Sequence, residues 1–172
     1  LNRNYFGFGS RLNYKQEKHL WQIGIESSSQ QDQRDRFLNL KGIQGEQSFS
    51  QLESFRSLGI YILDEVQWKK LLLRTSLRYD DLSLGADSVF EDQKYQVLNP
   101  SIGLSYEIDI KQRLFVNFSS SFETPTLSEL SSNPSGKEGL NLELNPSRAL
   151  NYEIGWKGLW AKTRIEANLF FI

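Results

Sequence analysis

The sequence has no cysteine and no methionine, a single histidine, and no long apolar run. Each absence removes a class of answer. Without cysteine there is no disulfide framework, thiol nucleophile or thiolate metal site. The lone His19 gives acid–base or nucleophilic chemistry no oriented partner, and its position beside a turn marks it as an interfacial turn residue. No stretch reaches the roughly 18 to 20 apolar residues that a membrane-spanning helix needs, and no apolar signal segment opens the chain. Charge of one sign is lacking too: 20 basic and 21 acidic residues leave a net charge of -1 with no large block of either sign. Nucleic acid is therefore not an expected partner.

What is present is a rhythm. The 172 residues are 38% hydrophobic and 13% aromatic, enough for a single domain over residues 1–172, and the apolar positions recur with period two almost throughout. Eight segments show it. Phe6, Phe8, Leu12 and Tyr14 alternate with Gly7, Gly9, Arg11 and Asn13; Trp21, Ile23 and Ile25 follow against Gln22, Gly24 and Glu26. Then come Leu58, Ile60, Ile62 and Val66, and a fourth set in which Leu71, Leu73, Leu77 and Tyr79 oppose Lys70, Arg74, Ser76 and Arg78. The last four are built on Ile102 to Ile108, Leu114 to Phe122, Leu150 to Trp156 and Ile165 to Phe171. No helical period of useful length competes with these strands.

The connections alternate between short and long. Short turns are expected at about 15–18, 67–69, 109–112 and 158–161, and long polar loops at about 28–54, 83–96 and 124–148. Two of these loops exceed the ~12 to 15 residues usual in compact soluble domains. One face of the sheet carries large apolar residues and the other carries charges with Gly and Ser, as expected where a polar face looks into a solvated or plugged interior. Trp21, Trp68, Phe115, Trp156 and Trp160 fall close to short turns, where an aromatic girdle would meet a bilayer interface. A mean hydropathy of -0.50 fits this, because only alternate strand residues would face lipid. The fold class is thus all-β, an antiparallel up-and-down meander of about eight strands forming a segment of a transmembrane β-barrel. Both chain ends fall on the long-loop side, so the sequence is expected to be an internal piece of a longer barrel.

The wording of the strands adds a resemblance. Residues 24–81, then "LNPSIGLSYEI" at 98–108, "LFVNFSSSFETPTLSEL" at 114–130 and "GLNLELNPSRALNYEIGWKG" at 139–158, resemble the barrel of TonB-dependent outer-membrane receptors. The resemblance implies a bacterial outer-membrane location, outer-membrane lipid around the barrel, and uptake of a ferric siderophore or similar scarce nutrient. It also implies a plug domain and remaining barrel strands in the parent chain, energised by the TonB complex. Neither the plug nor room for roughly 22 strands is present, so the piece alone is not expected to transport.

Candidate ligand contacts lie in the long loops. Arg34 and Arg36 suit anionic carboxylates or metal chelates, Phe37 suits a ligand ring, and Tyr95 and Arg148 belong to other long loops. The same "QDQRDRF" cluster also reads as a self-paired charged wall. The acidic pairs Asp32/Asp35, Asp80/Asp81 and Glu91/Asp92 are expected to be solvated loop charges, too few for a calcium site; no metal or cofactor is expected. Strand-borne Gly7, Gly9, Gly24, Gly103 and Gly155 read as small interior positions or bends. Two alternatives stand beside the receptor: a self-closed eight-stranded barrel with a structural or binding role, and, ranked last, a barrel enzyme.

Overall fold

A computed structural model describes residues 2–88, 92–131, 141 and 143–172. The eight alternating segments become eight strands: β1 (Asn2–Gln16), β2 (His19–Leu40), β3 (Ile43–Trp68), β4 (Leu71–Ala86), β5 (Gln93–Asp109), β6 (Gln112–Glu123), β7 (Ser147–Trp160) and β8 (Thr163–Phe171), with a short helix α1 (Leu127–Ser131) between β6 and β7. They form one antiparallel sheet in strict sequence order. Strands β1 and β8 are its edges and do not pair with each other, so the sheet is open and the self-closed small barrel is not what these strands form.

Register carries the two-faced pattern across the sheet. Leu12 pairs with Ile23, Ile23 with Ile62, and Ile62 with Leu77; farther along, Leu104 pairs with Val116, Val116 with Ile154 and Ile154 with Leu169. These residues are exposed, and paired partners in antiparallel strands share a face, so the outer face is a continuous apolar surface. The opposite face is the less exposed one, with Gly24, Gly59, Asp80, Leu82, Tyr95 and Gly155 buried, as expected for the inner side of a curved sheet.

The expected long loop at 28–54 is instead mostly strand. Strands β2 and β3 run on to a two-residue turn at Lys41 and Gly42, whose φ values of 55° and 91° suit a tight hairpin of the I′ kind. Two register shifts, between Arg36 and Phe37 and between Phe37 and Asn39, interrupt its ladder near the tip. Its polar wording concealed the strands because, past the apolar band, both faces meet water and period two carries no hydrophobic contrast. The expected loop at 83–96 contracts likewise, since β4 continues to Ala86 and β5 starts at Gln93. The short connections tighten to residues 17–18, 69–70, 110–111 and 161–162. Glu17, Lys69 and Ala161 hold positive φ there without glycine.

Within 124–148, Thr126-Leu127-Ser128-Glu129 forms a capping box that starts α1. The Thr126 amide donates to Glu129 Oε2 at 2.7 Å and the Glu129 amide to Thr126 Oγ1 at 3.3 Å. These bonds hold the Glu129 carboxyl below its ordinary range, the Thr126 backbone amide contributing most. The helix drops Leu130, fully buried, onto Leu82, Leu84 and Tyr95, with Phe55, Phe122, Leu127 and Leu144 around them. This cluster is the sheet's one compact core among the described residues, and it closes the long-loop end.

Candidate functional site

Two groups of polar side chains occupy the inner face. The lower one is a ladder of ion pairs. Arg78 donates through Nη1 to Glu26 at 2.8 Å and through Nε to Asp80 at 2.9 Å; Arg74 donates through Nε to Glu65 at 3.0 Å; Asn117 donates to Glu153 at 2.9 Å; and Lys157 Nζ lies 2.7 Å from Glu166. Glycines make room for it. A Cβ at Gly59 would collide with the Arg78 guanidinium, and one at Gly24 or Gly155 with the rings of Tyr61 or Phe115. Of the glycines expected to be small interior positions, Gly24, Gly103 and Gly155 therefore serve as beds for cross-strand side chains. Phe115, expected in the aromatic girdle, is one of these inner residues: it pairs across from Gly155 and lies 5.0 Å beneath Lys157 Nζ. The tryptophans Trp21, Trp68, Trp156 and Trp160 keep to the outer face by strand alternation.

The second group lies higher, where the β2–β3 hairpin rises past the apolar band. Arg3 grips Asp32 with two bonds of 2.7 Å, Gln30 adds one of 2.9 Å to the same carboxylate, and Arg34 Nη2 lies 3.0 Å from Glu53. Arg36 sits over the Phe49 ring at 5.1 Å. Asp32 is only 6% exposed and Glu53 4%, so the expectation that Asp32 is a solvated loop charge is corrected, as it is for Asp80. Each is buried because a neighbouring arginine pairs it. Hydrogen bonding from Arg3 holds the Asp32 carboxyl below its ordinary range, whereas burial pushes Glu53 up despite Arg34. Glu91 lies outside the described residues.

The five candidate ligand contacts separate. Arg34 and Arg36 share the inner face of β2 with Asp32, while alternation turns Phe37 to the other face, where it is exposed. Tyr95 is buried in the small core, its hydroxyl donating to the Leu144 carbonyl at 2.9 Å. Arg148 is exposed on β7 opposite Phe122, on the same side as Leu150. The sequence alone pointed to neither Arg3 nor Glu53 and marked Asp32 only as a solvated charge. Period-two parity in residues 30–36 and 51–55 could have placed Asp32 and Arg34 together, but only the β1–β2 register brings Arg3 to Asp32. His19 Nδ1 lies 3.0 Å from Asp64 Oδ2, and its ring stacks on Trp21. This pair sits at the short-turn rim of the outer face. No group of three or more metal-ligating side chains occurs among the described residues.

An open meander with an apolar outer face, an ion-paired inner face, tight turns at one end and a projecting hairpin at the other is the geometry of a transmembrane barrel wall. The sequence profile of the TonB dependent receptor-like β-barrel family matches residues 1–172, the whole chain. The chain belongs to this family. Its receptor barrels reside in the bacterial outer membrane and serve transport rather than enzymatic chemistry. In an alignment 106 residues long that covers 49% of this chain and 14% of the other protein, the chain is 27% identical to the TonB-dependent heme receptor A of Haemophilus influenzae (strain 86-028NP). Among solved structures, it resembles the ferric citrate transporter FecA (TM-score 0.80, 15% identity), the FrpB iron transporter of Neisseria meningitidis (0.76, 18%) and the alcaligin receptor FauA of Bordetella pertussis (0.61, 16%). Each superposition covers 98% of this chain but only 27% to 28% of the other, so the chain spans little more than a quarter of those barrel proteins. No helix among the described residues is long and apolar enough to cross a membrane; this family crosses with strands.

Proposed function

We propose that this chain is one sector of the barrel of an outer-membrane receptor that imports a ferric siderophore or similar scarce nutrient, and that the sector alone does not transport. The observation that carries the proposal is the family match over every residue of a sheet that spans about a quarter of comparable transporters. Outer-membrane lipid would contact the apolar outer face. The edges β1 and β8 would pair with the remaining strands of the parent chain, a plug domain would fill the interior, and the TonB complex would act through that parent protein. The small-molecule or metal-chelate ligand would enter from the long-loop end.

Of the five candidate contacts, Arg34 and Arg36 suit this role best. They project from the inner face of a hairpin above the apolar band, and their fixed charge and forked donors match the carboxylates of an iron chelate. Tyr95 would act indirectly by holding the segment around Leu144 in place. Phe37 would meet a ligand only from the other side of its strand, and Arg148 would meet one at the margin of the small core, beside Phe122. The test is to express the complete reading frame in iron-limited cells and follow uptake of radiolabelled ferric citrate, a ferric hydroxamate and heme. Arg34→Gln/Arg36→Gln is expected to raise the half-saturating concentration of an anionic chelate about tenfold, at unchanged surface abundance. Uptake of every iron compound that is indifferent to deletion of the gene would refute the transport reading.

A further inference from the structure

The four tight turns at the short-turn end share a feature that neither the strand pattern nor transport requires. Each consists of two residues, and the second is lysine every time: Glu17-Lys18, Lys69-Lys70, Ile110-Lys111 and Ala161-Lys162. All four lysines are exposed. Lys15, Lys69 and Lys157 lie close to the same rim, whereas among the described residues only Lys41 and Lys94 lie at the opposite end. A protein of net charge -1 thus carries a lysine row along one edge of its apolar face.

Most acidic groups at this rim are engaged. Asp109 accepts from the Lys111 amide at 2.7 Å and from Gln112 at 3.0 Å, Asp64 is matched with His19, Glu107 with Arg113, and Glu166 with Lys157. Glu17, exposed beside Lys18, and Asp109, whose hydrogen-bond donors are uncharged, are the two carboxylates left against a row of four turn lysines. Lys70 donates one bond to the Ile108 carbonyl at 2.7 Å, and the Asp109 carboxylate is close enough to feel its charge. Directly beside the lysines are the outward tryptophans Trp68 and Trp160, 57% and 76% exposed, and the aliphatic turn residue Ile110, 91% exposed. Lys69 Nζ lies 5.9 Å over the Trp68 ring. Ammonium groups fringing an aromatic belt at one level of an apolar sheet match a single occupant in both charge and polarity.

We propose that this rim is a docking surface for anionic phospholipid headgroups, which the lysine row selects over zwitterionic ones. The inference rests on the membrane-barrel reading above. Tryptophan rings set the depth of the sheet at the acyl–headgroup boundary, and the lysines extend past them to the phosphate level. Selectivity follows because a zwitterionic headgroup presents its own ammonium to the row, whereas phosphatidylglycerol presents net negative charge.

The complete receptor, purified in a non-ionic detergent, is titrated with phosphatidylglycerol or with phosphatidylcholine of the same chains, and bound lipid is counted by native mass spectrometry. Preferential retention of phosphatidylglycerol is expected, weakening as salt rises, with a loss of roughly fivefold for each lysine neutralised in the series Lys18→Gln, Lys70→Gln, Lys111→Gln and Lys162→Gln. Heat-modifiable gel migration checks that each variant is folded, and the Lys18→Gln/Lys111→Gln double variant serves where the fourfold variant does not fold. Equal retention of the two lipids by the wild type, or an unchanged preference in folded variants, would overturn the inference while leaving the barrel intact. A receptor that stays in solution without detergent and binds neither lipid would instead remove the membrane reading on which the inference depends.

Discussion

At the scale of single residues, this protein is organised by what an arginine sits beside. Arg78 is shared by Glu26 and the buried Asp80 only because Gly59 lacks a side chain, and Asp32 is buried only because Arg3 arrives from the neighbouring strand. Such pairs keep the inner face polar without leaving a buried charge unmatched. Among them, Asp32 and Glu53 respond to pH in opposite senses. The Asp32 carboxyl is held below its ordinary 3.8, so its contribution to the folded hairpin is present above that value and is lost as pH falls. Glu53 is raised above its ordinary 4.5, so its contribution is full below that value and is lost as pH rises through the folded pKa. Hydrogen-exchange protection of the β2–β3 hairpin, corrected for intrinsic rates, is therefore expected to fall on both sides of a maximum in mild acid. Asp32→Asn should weaken the decline on the acid side, leaving the part due to Asp35, which Gln33 also holds below its ordinary range, and Glu53→Gln should remove the decline above it. Protection that does not vary with pH would contradict this assignment.

At the scale of elements, the β2–β3 hairpin differs from every other connection. Its strands of 22 and 26 residues are at least twice the roughly 9 to 11 needed to cross a bilayer, so its upper half is a polar two-stranded ribbon standing in water. A free ribbon of that kind is marginal. Here it is tied by the Arg3–Asp32 and Arg34–Glu53 pairs near its base and by the Lys41–Gly42 turn at its tip. Gly42 has φ near 91°, outside the comfortable range of residues with a Cβ. Gly42→Ala is expected to cost the tip about 1 kcal/mol, seen as a roughly fivefold faster exchange at Leu40 and Ile43. The thermal midpoint of the whole barrel should stay unchanged, since the tip lies far from the apolar band. A global shift would show that the hairpin supports the sheet instead of standing on it.

At the scale of the whole molecule, the orientation of the sheet decides which face meets lipid. Outward residues change character along one cross-strand row: Ser27, Asp81 and Gln96 mark the upper border, and the tryptophans and lysines the lower one. Ile62 lies well inside this belt and points outward, while its neighbour Leu63 points to the inner face. In the full-length receptor refolded into lipid vesicles, Ile62→Arg is expected to cost about 2–4 kcal/mol and Leu63→Arg to stay within about 1 kcal/mol. The reverse order in denaturant titrations would mean that the faces have been assigned backwards.

The sequence by itself determined the strands and their two faces, because alternation needs no partner to be visible: Ile60 and Ile62 against Gly59 and Tyr61 read the same way alone or in a sheet. It also located the short turns to within about three residues, and its phrases carried the family. Where water lies on both sides that signal vanishes, which is why residues 28–54 read as a loop although they are mostly strand. The helix at Leu127–Ser131 had a local signal in Thr126-x-x-Glu129, but its burial over Leu82, Leu84 and Tyr95 did not. Only the tertiary structure decided which charges meet. Arg3 and Asp32 are 29 positions apart and Glu26 and Arg78 are 52, and their contact follows from strand register, a property of the paired backbones and of no single strand. Alternation alone set Phe115 against Val116 and Phe37 against Arg36; the registers decided which neighbours those side chains meet, Gly155 for Phe115 and Phe49 for Arg36, and aligned four lysines from separate turns along one rim.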